Sequence, residues 1–461
     1  MENVIPISPR VPSGVAGLDA VLGGGFPEAS SVLLRGVPGA GKTTLGTQFV
    51  VAGILDHGQP GVIMSFETFP AHFYRDAGSF GWDLRAMEKE GKLRVLFMRR
   101  DDLYSSFAER ESMAVSRLTD ATIDIGAKRL FIDGASRFFR LPLPPEQQLA
   151  VYQDFVLKAK GLNAVTMLAL NTTPGAPAGS HPAEAGADVV VMLERDESDH
   201  PDLRVLTISR ARGMDVQPGR HPFAITPGGI HVWRRHGNAP VPAHDAATET
   251  KRMPTGVPGL DDLLRGGFRT GSCVLVAGPG GSGKSLIAAA FARAAAAGGG
   301  CALLAHAAPP VDDRLRDAGV ILCNADPANV AHPLEYLDRV NSRADEAKPA
   351  AIVLDGLPLL GTSAAAAAAW HCDVVQPLAA RAAEAGAVLL VTAHLGSDQP
   401  VRAIAADAAL QNFETILLAG YRSGDDAGAK QLCVVKARGG CAGHDPRRLL
   451  LDGGEPRLAG D

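Results

Sequence analysis

Short apolar runs alternate along this chain with longer segments of mixed polarity. In the first half the runs are Ser31-Val-Leu-Leu-Arg35, Val62-Ile-Met-Ser-Phe66, Leu93-Arg-Val-Leu-Phe97, Arg129-Leu-Phe-Ile-Asp133, Val165-Thr-Met-Leu-Ala-Leu170 and Val189-Val-Val-Met-Leu193. Runs this short predict strands, and the segment from Thr43 to about Leu55 predicts a helix. Apolar character on successive residues predicts burial on both faces, the habit of a parallel sheet flanked by helices. Residues 203–209 and 229–233 predict added edge strands. The second half repeats the order at residues 273–277, 302–304, 351–354, 388–392, 415–418 and 432–435. The alanine runs at 288–297 and 364–369 predict helix, because Ala is the best helix former. The fold class is therefore α/β, with a mainly parallel sheet flanked by helices occurring twice.

The duplication is explicit in the residues. Pro12-Ser-Gly-Val-Ala-Gly-Leu-Asp19 matches Pro254-Thr-Gly-Val-Pro-Gly-Leu-Asp261, and Leu22-Gly-Gly-Gly-Phe26 matches Leu264-Arg-Gly-Gly-Phe268. Two G-x-x-x-x-G-K-[ST] loops follow: Gly36-Val-Pro-Gly39-Ala-Gly41-Lys42-Thr43, then Gly278-Pro-Gly-Gly281-Ser282-Gly283-Lys284-Ser285. Each stands after an apolar strand and before a helical run, the context a phosphate-binding loop requires. Its glycines turn successive backbone N–H groups into one anion nest at a helix N-terminus. The lysine reaches the β- and γ-phosphates, and the hydroxyl ligates Mg²⁺. Thr44 and Leu286 follow in the first turns. These patterns predict ATP and Mg²⁺ as cofactors, a first domain at 1–237, a linker at 238–252 rich in Pro, Ala and polar residues, and a second domain at 253–461.

Composition narrows the function classes. At 461 residues the chain holds two such domains. A net charge of −5 gives no global electrostatic case for nucleic acid or an anionic membrane. The N-terminus has no basic region followed by an apolar core, so no signal peptide is expected. No run reaches the roughly 18 apolar residues of a membrane span. Six cysteines, none in C-x-x-C, are expected to be reduced thiols of a cytoplasmic protein.

Hydrolysis needs more than phosphate binding. Asp133 closes an apolar strand, where a carboxylate would hold a Mg²⁺-bound water; capping a following helix is its plainer use. Glu67 follows the second strand, and the carboxyl ends of neighbouring strands in a doubly wound sheet face one crevice. It is placed to orient water, although one Glu at one strand end is a weak signal. Asp355 is the second-half counterpart of Asp133. Arg210 and Arg212 alternate, so both point to one side of a late strand. They would serve either as solvated edge charges or as cations supplied across a subunit boundary.

The chain resembles the KaiC family of tandem RecA-like P-loop ATPases. The resemblance rests on the paired P-[ST]-G-x-x-G-L-D segments and both P-loops. It extends to Gly61-Val-Ile-Met-Ser-Phe-Glu67, Ser79-Phe-Gly-Trp-Asp-Leu84, Arg210-x-Arg212-Gly213 and Pro222-Phe-Ala-Ile-Thr226-x-x-Gly-Ile230. It implies a homo-oligomer built as a hexameric double ring, with a KaiB-like or signalling protein as partner. It implies that Glu67, one of a pair of acids in the family and followed here by Thr68, activates water. It also implies that Arg210 and Arg212, and the corresponding Lys436 and Arg438, reach the ATP of a neighbouring subunit.

The second half departs from that pattern. Aligning strands pairs Ser65-Phe-Glu-Thr68 with Ala305-His-Ala-Ala308, so Ala307 stands at the position of Glu67. Binding needs the nest and Lys284, whereas hydrolysis also needs an oriented water, so the second domain reads as a nucleotide holder. The family's autophosphorylated Ser-Thr pair falls on Leu410 and Gln411, which lack hydroxyls. The sequence ends at Asp461, so the tail that clock proteins use for KaiA is not expected. Two other readings stay open: a RecA-type DNA-associated ATPase, without a basic or aromatic-basic cluster to support it, and a nucleotide-gated scaffold, disfavoured by Glu67. A serine/threonine autokinase follows from the resemblance alone and is disfavoured by Leu410, Gln411 and Ala307.

Overall fold

The computed structural model describes residues 9–67, 70–99, 113–196, 203–235, 251–306, 313–330, 332–359, 363–395, 410, 412–422, 428–438, 440–441 and 443–459. The chain divides into two compact units, Met1–Arg235 and His236–Asp461. Of the proposed linker, residues 238–250 lie outside the described residues, as do Thr68, Ala307, Ala308 and Gln411.

The first unit is built on nine strands, here β1 (Ser31–Gly36), β2 (Gly61–Ser65), β3 (Leu93–Phe97), β4 (Arg129–Asp133), β5 (Val165–Asn171), β6 (Val189–Asp196), β7 (Leu203–Ala211), β8 (His221–Thr226) and β9 (Gly229–Val232). Their order across the sheet is β9-β8-β7-β6-β1-β5-β4-β2-β3. Pairing is parallel from β3 through β6 and antiparallel from β6 to β9. The second unit has β10 (Cys273–Gly278), β11 (Ala302–His306), β12 (Val320–Asn324), β13 (Ala351–Leu357), β14 (Val388–His394), β15 (Thr415–Tyr421), β16 (Lys430–Ala437), β17 (Arg447–Asp452) and β18 (Glu455–Leu458). Its order, β12-β11-β13-β14-β10-β15-β16-β17-β18, repeats the first strand for strand. Each unit is thus a RecA-like P-loop fold.

Continuous apolar strands arise because both faces are covered. Val32, Leu34, Ile63, Phe131 and Val191 pack with the helix Lys42–His57 on one face. Leu33, Val62, Met64, Leu130, Ile132 and Val190 pack on the other with the helices Met113–Ile125 and Pro145–Lys160. Successive side chains of a strand point to opposite faces, which sorts these residues into two cores. Among the described residues no helix is long and apolar enough to cross a membrane. All six cysteines are free thiols.

The repeated P-[ST]-G-x-x-G-L-D segment is a structural turn. The Asp19 carboxylate accepts the Ser13 N–H at 2.7 Å, and Asp261 accepts the Thr255 N–H at 2.8 Å. Gly17 and Gly259 stand at φ 77° and 84° at the start of a short helix, a conformation that favours glycine. The turn docks on the P-loop helix, where the amide of Gln48 donates to Gly14 O at 3.2 Å.

Four strands of the two sheets escape the hydrophobic pattern. Residues 221–226 carry Pro222, which has no N–H for a ladder, and 447–452 with 455–458 form a half-exposed outer ribbon. The strand at 320–324 is an edge with intermediate burial. The late antiparallel strands also share one irregularity. The β6–β7 register slips between Val190 and Val191, and the β15–β16 register slips between Ile416 and Leu417. Each bulge stands immediately before the basic pair, Arg210 or Lys436 being the next residue in register.

The two copies solve one packing problem with opposite volumes. A Cβ on Gly46 would fall inside the edge of the Phe131 ring. The corresponding residues of the second unit are Ala288 and Val353, both fully buried. Alanine favours a helix over glycine by about 1 kcal/mol, and overpacking costs about 1–3 kcal/mol. Gly46→Ala is therefore expected to be neutral to destabilising by about 2 kcal/mol, with the overlap relieved by Phe131→Val. In urea unfolding, the double variant should be more stable than the sum of the single effects by about 1 kcal/mol or more. Simple additivity would show that the ring does not fill the space left by Gly46.

Candidate functional site

The parallel pairing of β1 with β5 and β6 carries three strand ends to one edge, and β4 and β2 add two more. The loop after β1 wraps into the helix Lys42–His57, with Gly39 and Gly41 at φ 78° and 104°. A cavity of about 290 Å³ opens there, lined by Pro38, Gly39, Gly41, Lys42, Thr43, Thr44, Glu67, Asp133, Gly134, Ala169, Asn171 and Ile225. It collects the P-loop, the β4 aspartate and the β2 glutamate named from sequence; Gly36 lies just behind it at the end of β1.

The Lys42 ammonium donates to the carbonyls of Gly36 and Val37 at 2.8 and 2.9 Å. Thr43 Oγ1 donates to Asp133 Oδ1 at 3.1 Å. Burial pushes Lys42 down to about 8, against the opposing pull of Asp133 and Glu67. Burial also pushes Asp133 up to about 6; the Thr43 hydrogen bond opposes this and the Glu67 charge adds to it. Glu67 is exposed to the cavity, with its carboxylate 3.4 and 3.5 Å from Asn171 Nδ2. Gly134 makes room for it, since a Cβ there would lie 2.5 Å from Glu67 Cγ.

Sequence reasoning missed Asn171, Gly134 and Ile225. Asn171 was visible as the polar residue closing an apolar run, and its N–H is held by Ser136 Oγ at 2.7 Å. Arg210 and Arg212 are not brought to this cavity. Arg210 pairs with Val190 near the start of β6, whereas Gly36 pairs with Leu193 nearer its other end. The guanidinium of Arg210 donates to Glu184 O at 2.6 Å and that of Arg212 to Ala185 O at 3.3 Å.

In the second unit Ser285 Oγ donates to Asp355 Oδ1 at 3.1 Å, and Thr392 Oγ1 donates to the same oxygen at 2.5 Å. Lys284 donates to Pro279 O at 2.8 Å, and its pKa is lowered by burial. Gly281 and Gly283 keep left-handed φ of 74° and 101°, and Ser282 donates to Pro279 O. Gly278 pairs with His394 as Gly36 pairs with Asn171, so a histidine stands at the position of that amide. Lys436 and Arg438 lie towards the start of β15, the end opposite the P-loop.

The strand registers correct the correspondence at the missing acid. Gly61 pairs with Arg129, and Ala302 with Ala351. Counting forward, Ser65 matches His306, and Glu67 matches Ala308 rather than Ala307. The connection from Lys284 to Ala302 is one residue shorter than that from Lys42 to Gly61, because a helix two residues shorter is followed by a loop one residue longer, whereas the sequence alignment took up two residues. Alanine occupies both candidate positions, so the carboxylate is lacking either way.

A doubled RecA-like sheet with a P-loop, hydroxyl and strand-end aspartate in each half defines a tandem P-loop nucleotide-binding protein. The family model described as the KaiC ATPase matches residues 11–237 and 253–312. The chain belongs to the KaiC ATPase family. It is 30% identical over 305 residues to the circadian clock oscillator protein KaiC of Parathermosynechococcus lividus, covering 65% of this chain and 55% of that one. It is 29% identical over 367 residues to the KaiC of Synechococcus elongatus, covering 75% and 69%. A UPF0273 protein of Methanocaldococcus jannaschii is 32% identical over 237 residues, 49% of this chain and 96% of its own length. The chain spans about half the length of the first curated KaiC relatives it matches.

The family implies nucleotide binding, typically with Mg²⁺, and the donor set fits. Thr43 with Asp133, and Ser285 with Asp355, offer one hydroxyl and one carboxylate, the sparse protein ligation that Mg²⁺ accepts beside phosphate oxygens. Among the described residues no cluster of three or more His, Cys, Asp and Glu forms a separate metal cage.

The depressed Lys42 has a measurable consequence. Below about 8 the ammonium is already charged; above it the nucleotide-free site favours the neutral amine. Phosphate favours the charged form, so ATP binding at pH above about 8 should take up protons and weaken as pH rises. Calorimetry near that pH in buffers of different ionisation heat should give buffer-dependent binding heats, reduced by Lys42→Arg. Identical heats would mean that the ammonium is charged in the empty site.

Proposed function

We propose that this protein is an oligomeric ATPase whose first unit hydrolyses ATP and whose second unit holds ATP as an assembly ligand, with a regulatory or signalling output through a KaiB-like or other protein partner. The carrying observation is Glu67. Its carboxylate stands at the mouth of the first cavity, tethered by Asn171, and alanine occupies the corresponding place in the second unit.

The loop N–H groups from Gly36 to Thr43 cradle the phosphates, and Lys42 exchanges two loop carbonyls for phosphate oxygens. Thr43 and Asp133 would hold Mg²⁺, which would supply positive charge beside the phosphates. Glu67 orients water for in-line attack and accepts its proton. Arg210 and Arg212 lie away from their own loop, so their contact with a γ-phosphate comes from another copy. Catalytic sites between subunits make oligomerisation part of the mechanism.

The second unit keeps Lys284, Ser285 and Asp355 without the acid. ATP bound there for long periods stabilises the assembled form by mass action. Thr415, the hydroxyl nearest the family's phosphorylated positions, is 9% exposed and paired with Val274 and Ala437. Leu410 is buried.

Glu67→Gln is expected to lower phosphate release by about 100-fold or more, as loss of a general base does, while ATP binding persists. Near-full turnover in that variant would remove Glu67 from the mechanism. Lys284→Ala should instead weaken the oligomer, as read by sedimentation with ATP.

The second unit should not phosphorylate itself. After incubation with labelled ATP, peptide mapping should find no stoichiometric phosphoserine or phosphothreonine within 400–420. Such a modification would make it an autokinase in place of a nucleotide holder.

A further inference from the structure

Arg35 is an anomaly in the P-loop strand. It sits within β1, 1% exposed, among residues that are otherwise apolar or small. Its guanidinium is ion-paired with Glu184, which is 6% exposed, and also donates to Ser180 Oγ at 3.2 Å and Pro177 O at 3.3 Å. Glu184 in turn accepts the Gly179 N–H at 2.7 Å. Burying two charges carries a large desolvation penalty that their attraction does little more than offset, so such a pair is weak evidence for stability. The duplication supplies a control. Arg35 pairs with Leu170 and Met192; Ala277 pairs with the corresponding Ala393 and Leu418. The same sheet therefore forms with a small apolar residue at that position.

The pair joins two parts of the proposed machinery. Arg35 immediately precedes Gly36, whose carbonyl receives Lys42. Glu184 belongs to the turn Pro182–Gly186, whose carbonyls at 184 and 185 hold the head groups of Arg210 and Arg212. We infer that Arg35 and Glu184 are positioning residues: they fix the turn that aims Arg210 and Arg212 at a neighbouring subunit's ATP, and tie that aim to the P-loop strand of their own subunit. This rests on the trans-acting reading of the two arginines given above. The second unit has Ala277 at the position of Arg35.

The test separates aim in trans from damage in cis. The variant Arg35→Met/Glu184→Gln removes both charges and keeps side-chain size and a hydrogen-bonding amide. Alone, the full-length variant is expected to lose about 10-fold or more in phosphate release, since misplacing a reacting group by about 1 Å can cost ~100-fold. It should still bind ATP. Mixed without nucleotide with Glu67→Gln protein and then given ATP, it should regain turnover above the mean of the two parents. In mixed rings its intact Glu67 would meet the well-aimed arginines of the Glu67→Gln subunit.

Arg212→Ala mixed with Glu67→Gln is the control. Rescue in the control but not with the Arg35/Glu184 variant would overturn the positioning role and assign the pair to its own P-loop. Absence of rescue in both would overturn the trans reading itself. Unchanged turnover in the Arg35/Glu184 variant alone would also overturn the inference. If that variant does not fold, the milder Glu184→Gln enters the same mixture and is read the same way.

Discussion

The candidate chemistry depends on parallel pairing around β1. With β5 on one side and β6 on the other, the strand is buried on both faces and ends level with β5, Gly36 against Asn171, while β6 runs on from Leu193 to Asp196. Backbone hydrogen bonding thereby places the P-loop, Asp133, Asn171 and Glu67 on one edge before any side-chain interaction is made. The helix Lys42–His57 packs against the sheet and presents its N-terminus to the same edge. An anion nest is available because the first-turn N–H groups have no helical partners. Reversing the direction of a neighbouring strand would carry its functional residue to the far end of the sheet. That is where antiparallel β7 puts Arg210 and Arg212.

The duplicated architecture separates what the fold needs from what the chemistry needs. The buried aromatic pair Phe26–Phe49 recurs as Phe268–Phe291, both edge to face, at centroid distances of 5.9 and 5.2 Å. The Asp19 and Asp261 turns recur with the same hydrogen bond. These are conditions of the fold. Differences fall at the cavity, Ala169 against Thr392 and Asn171 against His394, and also within the sheet core, Phe131 against Val353 and Arg35 against Ala277. In the second unit Thr392 takes a share of the Asp355 carboxylate and also accepts the Gly356 N–H at 2.8 Å. That carboxylate is tied to the scaffold by two hydroxyls, while Asp133 has one hydroxyl partner and the nearby Glu67 charge.

Most of the sheet was legible because burial on both faces leaves unbroken apolar runs. Both P-loops were legible because their backbone path demands glycine at fixed spacing. Asp133 was legible as the residue ending an apolar strand, and the first cavity includes it with Lys42, Thr43 and Glu67. The outer strands were harder. Half-buried residues alternate weakly, and Pro222 argues against a strand although the sheet tolerates it near the edge. The missing acid was placed one residue early because the helix of the second unit is two residues shorter but the loop after it is one longer, and the sequence alone does not show where one ends and the other begins. Arg35 and Glu184, 149 residues apart, left no local pattern at all. An arginine within an apolar strand was visible, but its partner exists only once β1 and β6 are adjacent.

The electrostatics of the first cavity show why that site suits a charged ligand better than solvent. Lys42, Asp133 and Glu67 converge, and burial opposes the charged forms of the first two. The lysine donates to two carbonyls of the loop itself, Gly36 and Val37. A phosphate with its cation meets both deficits: phosphate oxygens pair with the ammonium and the loop N–H groups, and the cation pairs with the aspartate. The glutamate is different. It is exposed, its contacts among the described residues are the long ones to Asn171, and its charge supports the Lys42 ammonium from a distance. A carboxylate left accessible beside the phosphate position, after the other charges have found partners, is placed for water. The second unit has alanine at that place in the sequence while retaining the lysine, hydroxyl and aspartate, and the proposal that it holds ATP without turnover rests on that one subtraction.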